Sequence, residues 1–145
     1  MPYSFLVSKK YEDVLIKSLR YSIAIIFIWF GLLKVAGYNP VFDLVQYSMM
    51  PPLASGAGLI ALGIFETLIG ILLFTNKFLL MTHTFLFCHL LGTFSTFIFG
   101  WHVVFSPHFP ILSLGGEFVM KNLTLVVAAL VVLVHEERRL LRNNT

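Results

Sequence analysis

The chain has 145 residues, of which 58% are hydrophobic and 12% charged, and its mean hydropathy is +0.88. An average soluble domain is about 45–50% apolar and about 25% charged, so these residues cannot cover a soluble surface and an integral membrane protein is expected. Disorder is excluded by the same balance, and the net charge of +3 carries little meaning until the charges are placed along the chain.

A membrane-crossing helix needs about 20 mostly apolar residues. Windows at 19–36, 56–75, 78–100 and 117–134 qualify. They predict an all-α fold, an integral membrane four-helix bundle of up-down type, in a single membrane domain over 1–145. The first window ends near Val35, Ala36 and Gly37, which resembles a signal cleavage site. The stretch before it is too long for a typical signal, so this window is expected to stay as a membrane helix. Next comes GYNPVFDLVQYSMMPP. Asn39 with Pro40 reads as an N-cap with proline at the first helical position, and Pro51–Pro52 as a stop. A short interfacial or re-entrant helix over 41–50 is predicted, too short to cross. The second and third spans are joined by Asn76 and Lys77 alone, which makes them an antiparallel hairpin. The connection WHVVFSPHFPILSLGG follows, in which Pro107, Pro110, Gly115 and Gly116 are expected to break any helix.

The basic residues set an orientation. Lys9, Lys10, Lys17 and Arg20 precede the first span, Lys77 sits in the hairpin turn, and Arg138, Arg139 and Arg142 follow the fourth span. The two longer connections hold no Lys or Arg. The positive-inside rule therefore puts both termini, 1–18 and 135–145, in the cytoplasm. The tail HEERRLLRNNT carries two acids beside its arginines, so it reads as a topology anchor and not as a nucleic-acid patch.

Two basic residues remain, Lys34 and Lys121, and both lie within spans. At about 1.5 Å of rise per residue, each is about 21 Å from the basic end, while Glu66 and His89 fall near the midplane. Glu117 stands one turn before Lys121 on the same helix face. Charge at such depth is costly and faces a bundle interior or a wet cavity. In the third span His89, Thr93, Thr96 and Gly100 form one stripe, and in the second Gly63, Glu66, Thr67 and Gly70 share a face. In the fourth, Glu117, Lys121, Thr124 and Ala128 do the same. Two readings stand. Lys34 with Glu66, and Glu117 with Lys121, are ion pairs that lock helices. Alternatively, Lys34, Glu66, His89, Glu117 and Lys121 line a pocket for a small anion, a proton-coupled substrate or a quinone head group.

Other features carry less. The lone Cys88 cannot form an internal disulfide, which excludes a dithiol mechanism within this chain. His102 and His108, in the outer connection, lack carboxylate or cysteine partners at metal-ligand spacing, so no metal is expected. Histidines on different helices can hold haem, and His83 and His135 both sit toward the basic end, but no wider pattern supports it. No dithiol, metal or nucleotide motif is present in the chain, which leaves enzyme activity open and leans against it. Trp29 lies deep and Trp101 at the outer interface, as aromatic belts require.

Three stretches resemble a known family: RYSIAIIFIWFGLLKVAGY, GLIALGIFETLIGILLF and FPILSLGGEFVMKNLTLV. They resemble the DoxX-like superfamily of small four-helix membrane proteins, nearest its reactive-chlorine-resistance (YkgB/RclC) type, over roughly 15–134. The resemblance implies a bacterial inner-membrane protein tied to oxidative or reactive-chlorine stress, with Lys34, Glu66 and Lys121 as the family's polar positions. It also implies a redox partner protein in the membrane or periplasm, or a quinone as cofactor. Two departures fall on the outward face: the first outer connection is short, and Glu117 stands where a basic residue is expected. An accessory component of a stress or redox system is the leading expectation. A quinone-linked oxidoreductase subunit and a small proton- or anion-coupled transporter, working as a homo-oligomer, are the alternatives.

Overall fold

The computed structural model describes residues 9–143. The first eight residues of the expected N-terminal segment and the last two of the tail lie outside the described residues. Four long helices carry the architecture: α1 (Lys9–Val35), α3 (Gly56–Thr75), α4 (Leu79–Phe94) and α7 (Leu114–Asn143). Between α1 and α3 lie α2 (Phe42–Gln46) and a 3₁₀ turn at Pro51–Ala54; α5 (Thr96–Phe99) and α6 (Trp101–Val104) prolong α4. Among the described residues, four segments are long and apolar enough to cross a membrane: Lys10–Val35, Gly56–Thr75, Leu79–Phe99 and Leu114–Arg142. The protein is an all-α, multi-pass membrane bundle. Large apolar side chains such as Trp29, Leu80 and Ile98 point outward, the reverse of a soluble protein, because lipid surrounds the bundle.

The outer helices run longer than their apolar windows. α1 starts well before residue 19 and α7 runs well past 134. Both extensions are polar and meet each other, so their charged side chains find partners off the apolar core. His135 Nε2 stands 3.0 Å from Asp13 Oδ1, and its Nδ1 is 3.4 Å from Glu12. α7 also begins earlier than expected. Gly115 and Gly116 lie inside it, because Ser113 Oγ accepts from the Gly116 N–H at 2.9 Å and caps the first turn. A Cβ at Gly116 would strike the Val104 carbonyl, so glycine here permits close packing and does not break the helix.

The segment after α1 is helical only over Phe42–Gln46, and its N-cap is Val41, with no side-chain cap. Pro51 and Pro52 open the 3₁₀ turn and do not simply end a helix. This segment tucks into the bundle: Leu44 is buried, its carbonyl accepts from Thr96 Oγ1 at 3.3 Å, and the Met49 N–H donates to Ser95 Oγ at 2.8 Å. Gly100 allows the approach, because a Cβ there would sit 2.8 Å from the Tyr47 Cβ. The third span is accordingly interrupted at Ser95 and Gly100.

α1 and α3 form the tightest pair. A Cβ on Gly63 would lie 2.6 Å from the Gly31 carbonyl and 2.9 Å from the Lys34 Cβ. Small residues at both positions therefore bring the two backbones together, as in other membrane helix pairs. Asn76 adopts a left-handed conformation (φ 55°) as the α3 C-cap, which reverses the chain into α4. Below the middle of the bundle, Ile23, Phe27, Ile69, Leu73, Leu86, Leu90, Ala129 and Val132 make an apolar layer. Polar clusters lie on either side of it.

Candidate functional site: a polar triad beside an apolar cavity

The Gly31–Gly63 contact places one charged residue from each helix side by side. Lys34 Nζ donates to Glu66 Oε2 at 2.8 Å. On the other side, His89 Nε2 from α4 stands 3.2 Å from Glu66 Oε1. Both Glu66 oxygens are thus engaged, and three helices converge on one carboxylate. Lys34 and Glu66 are each buried, at 6% and 4% exposure. The His89 ring is fixed by an edge contact with Phe27, with centroids 5.5 Å apart. The second ring nitrogen of His89 makes no hydrogen bond among the described residues.

The triad forms part of the wall of a cavity of about 400 Å³. That volume falls in the usual range for small-molecule sites, about 300–1,000 Å³. Most of the lining is apolar: Phe27 and Phe30 from α1, Phe65 from α3, Leu90 from α4, Phe118 and Leu125 from α7. Val41, Leu44, Val45, Met49 and Met50 of the re-entrant segment complete the wall. Thr93, one turn beyond His89, and Asn122 add polar groups. Asn122 is 5% exposed and makes no hydrogen bond among the described residues. Its place in the lining leaves the amide open to the cavity.

The expected pocket set is thereby divided. Lys34, Glu66 and His89 come together. Glu117 and Lys121 do not join them, which corrects the expectation that they line the pocket. Their side chains are 50% and 77% exposed, and they pair with each other at 3.1 Å as an i,i+4 bridge. The inward face of α7 is Val119, Asn122, Ala129 and Val132, one residue round from the expected Glu117–Lys121–Thr124 stripe. One residue corresponds to about 100° of rotation. A lysine near the outer end of a span can reach polar surroundings along its own stem, so α7 has no need to turn it inward. Asn122 was missed because it adjoins a charged residue that drew the polar assignment to itself.

His102 and His108 also stay apart. His102 packs edge-on against Tyr47 with centroids 4.6 Å apart, and His108 Nδ1 bonds the Phe109 carbonyl at 3.0 Å. Cys88 is exposed and lies on the cavity lining.

A second polar cluster ties the opposite end of the bundle. Glu136 is 2% exposed and accepts from Arg20 Nη1 at 3.4 Å, from Asn76 Nδ2 at 3.2 Å and from Arg139 Nη1 at 3.4 Å. His83 is buried in α4 with Nδ1 on the Leu79 carbonyl at 2.8 Å. This is a clamp on α1, α7 and the α3–α4 turn. An open groove of about 640 Å³ runs between α1 and α7 near this end, but His135 in its wall is already held by Asp13 and Glu12.

Comparison with family models, curated proteins and solved structures finds no match to this chain.

Proposed function

We propose that this protein binds an uncharged amphiphile of the quinone class in the cavity beside Lys34, Glu66 and His89, as an accessory component of a membrane redox or stress-response system. The observation that carries this reading is the triad itself, set in the wall of a 400 Å³ cavity whose remaining lining is mainly apolar. Lys34 is already neutralised by Glu66 at 2.8 Å, and Lys121 lies outside the cavity. No unpaired cation in the wall remains to hold an anion, which argues against an anion pathway. The His89 ring nitrogen and the Asn122 amide are the groups left to meet a ligand, and a carbonyl or hydroxyl head group suits both. The apolar walls suit a ring and tail.

Setting and orientation belong to the same reading. The DoxX-like resemblance supports a bacterial inner membrane and a link to oxidative or reactive-chlorine stress, through a partner protein. The clustering of Arg20, Lys77, Arg138 and Arg139 at one end of the bundle supports cytoplasmic termini.

A titration of the protein in lipid nanodiscs with a short-chain ubiquinone, read by calorimetry, tests the reading. Wild type is expected to bind saturably, and Glu66→Gln and His89→Ala are each expected to bind at least about tenfold more weakly, about 1.4 kcal/mol. Unchanged affinity in both variants would contradict it.

A further inference from the structure

The cavity is not sealed evenly around the bundle. α1 and α3 touch backbone to backbone through Gly31 and Gly63, which closes that side. Between α1 and α7, the Phe30 and Phe118 rings meet edge to face at 5.5 Å. Between α3 and α4, Phe65 meets the Phe85 ring at 5.7 Å and the His89 ring at 6.5 Å. Three small residues of these two helices line the cavity, Ala61 on α3 and Cys88 and Gly92 on α4. Ala61 and Cys88 are both exposed on the bundle surface and part of the cavity lining. A Cβ at Gly92 would meet nothing within 4 Å, so the wall there opens on space. Met49 and Met50 of the segment between α1 and α3 are both more than half exposed and both line the cavity.

We infer that the α3–α4 seam is a lateral portal to the lipid. The amphiphile enters the cavity sideways from the bilayer, its head turned in toward His89 and Asn122 and its apolar tail lying between Ala61, Cys88 and Gly92. A tail left in lipid keeps its apolar surface out of water, and a head inside the cavity meets His89 and the Asn122 amide in its wall. Phe65 and Phe85 form the sill that keeps the tail from sliding toward the α3–α4 turn. Methionine suits this part of the wall because its flexible thioether adapts to a passing chain. Asn122 thus becomes the head group's anchor on α7, a binding residue additional to the triad. This inference rests on the quinone-class reading for the chemistry of the ligand.

Cys88 is the chain's one cysteine, and its place on the portal rim gives a direct probe. Wild type in nanodiscs is alkylated with a lipid-soluble maleimide, with and without saturating short-chain ubiquinone, whose fully substituted ring resists thiol addition. Bound ligand is expected to slow the alkylation at least about tenfold. Gly92→Leu, which plugs the portal, and Asn122→Leu, which removes the anchor, are each expected to weaken binding at least about tenfold with an unchanged melting profile. Leu123→Trp, on the exposed side of α7 and outside the cavity lining, is expected to leave affinity unchanged. Saturable binding with unprotected Cys88 and full affinity in Gly92→Leu overturns the portal and leaves the quinone-class reading standing. Loss of affinity in Leu123→Trp with full affinity in Gly92→Leu also overturns it, by moving entry away from the α3–α4 face. No saturable binding by wild type overturns both.

Discussion

Glu66→Leu is expected to destabilise the folded protein by about 3–5 kcal/mol, the usual cost of leaving one member of a buried ion pair without its partner. Lys34 would then sit at 6% exposure beside an aliphatic side chain. His89, whose Nε2 stands 3.2 Å from Glu66, would lose its neighbour in the same change. The companion variant is Lys34→Met with Glu66→Leu. Removing both charges and keeping the volume is often neutral or stabilising by about 1–4 kcal/mol. Thermal melting in detergent, read by circular dichroism, is expected to show a large loss for the single variant and recovery in the double. The double variant also separates structure from function. A pair that only locks α1 to α3 can be exchanged without further consequence. A pair that shapes a ligand site cannot, so the recovered protein is expected to bind short-chain ubiquinone at least about tenfold more weakly than wild type. Equal loss of stability in the single and double variants would contradict the assignment of the cost to an unpaired lysine.

Glu136→Ala is expected to have an effect of similar size at the other end, again about 3–5 kcal/mol. Glu136 is 2% exposed and holds Arg20, Asn76 and Arg139 together. Its removal leaves the buried Arg20 guanidinium without a carboxylate and frees the Asn76 side chain at the reversal between α3 and α4. The damage should be local to the clamp: faster hydrogen exchange in the helix ends near Lys17–Arg20 and His135–Arg139, with little change around Gly31 and Gly63. Arg139→Ala removes only a half-exposed partner, and such pairs contribute about 0–1 kcal/mol. An equal loss in Glu136→Ala and Arg139→Ala would show that the burial of Glu136 is not what makes the clamp strong.

The two clusters differ in how far the sequence exposed them. Lys34, Glu66 and His89 were legible because ionisable groups in a span of apolar residues have few harmless explanations. The small and polar faces of the second and third spans pointed the same way, and Gly63, Glu66 and Gly70 are all buried. The four spans were legible from hydropathy alone, since the bilayer sets their length. The rotation of α7 was not. Lipid and protein neighbours are equally apolar, so hydrophobicity does not tell the buried face of the span from its lipid face, and Glu117 with Lys121 imitated an inward polar stripe. The Glu136 clamp was also hidden. Arg20 and Glu136 lie 116 positions apart, and a run such as HEERR reads as a solvated tail until α1 and α7 are seen to extend past the apolar windows. The re-entrant segment was expected as an element, but its shape was not. Its turns follow from Gly100, Thr96 and Ser95 on the third span, which are remote in sequence.

The central claim is that the cavity beside the triad holds an uncharged amphiphile. Photo-crosslinking tests it most directly: nanodisc-held protein is irradiated with an azido-substituted short-chain quinone, and the labelled residues are mapped by mass spectrometry. The account predicts saturable label confined to the cavity wall, on Phe65, Cys88, His89 and Asn122, and competed away by unlabelled ubiquinone. Label spread over lipid-facing positions such as Leu80, Ile98 and Leu123, with no competition, would contradict it.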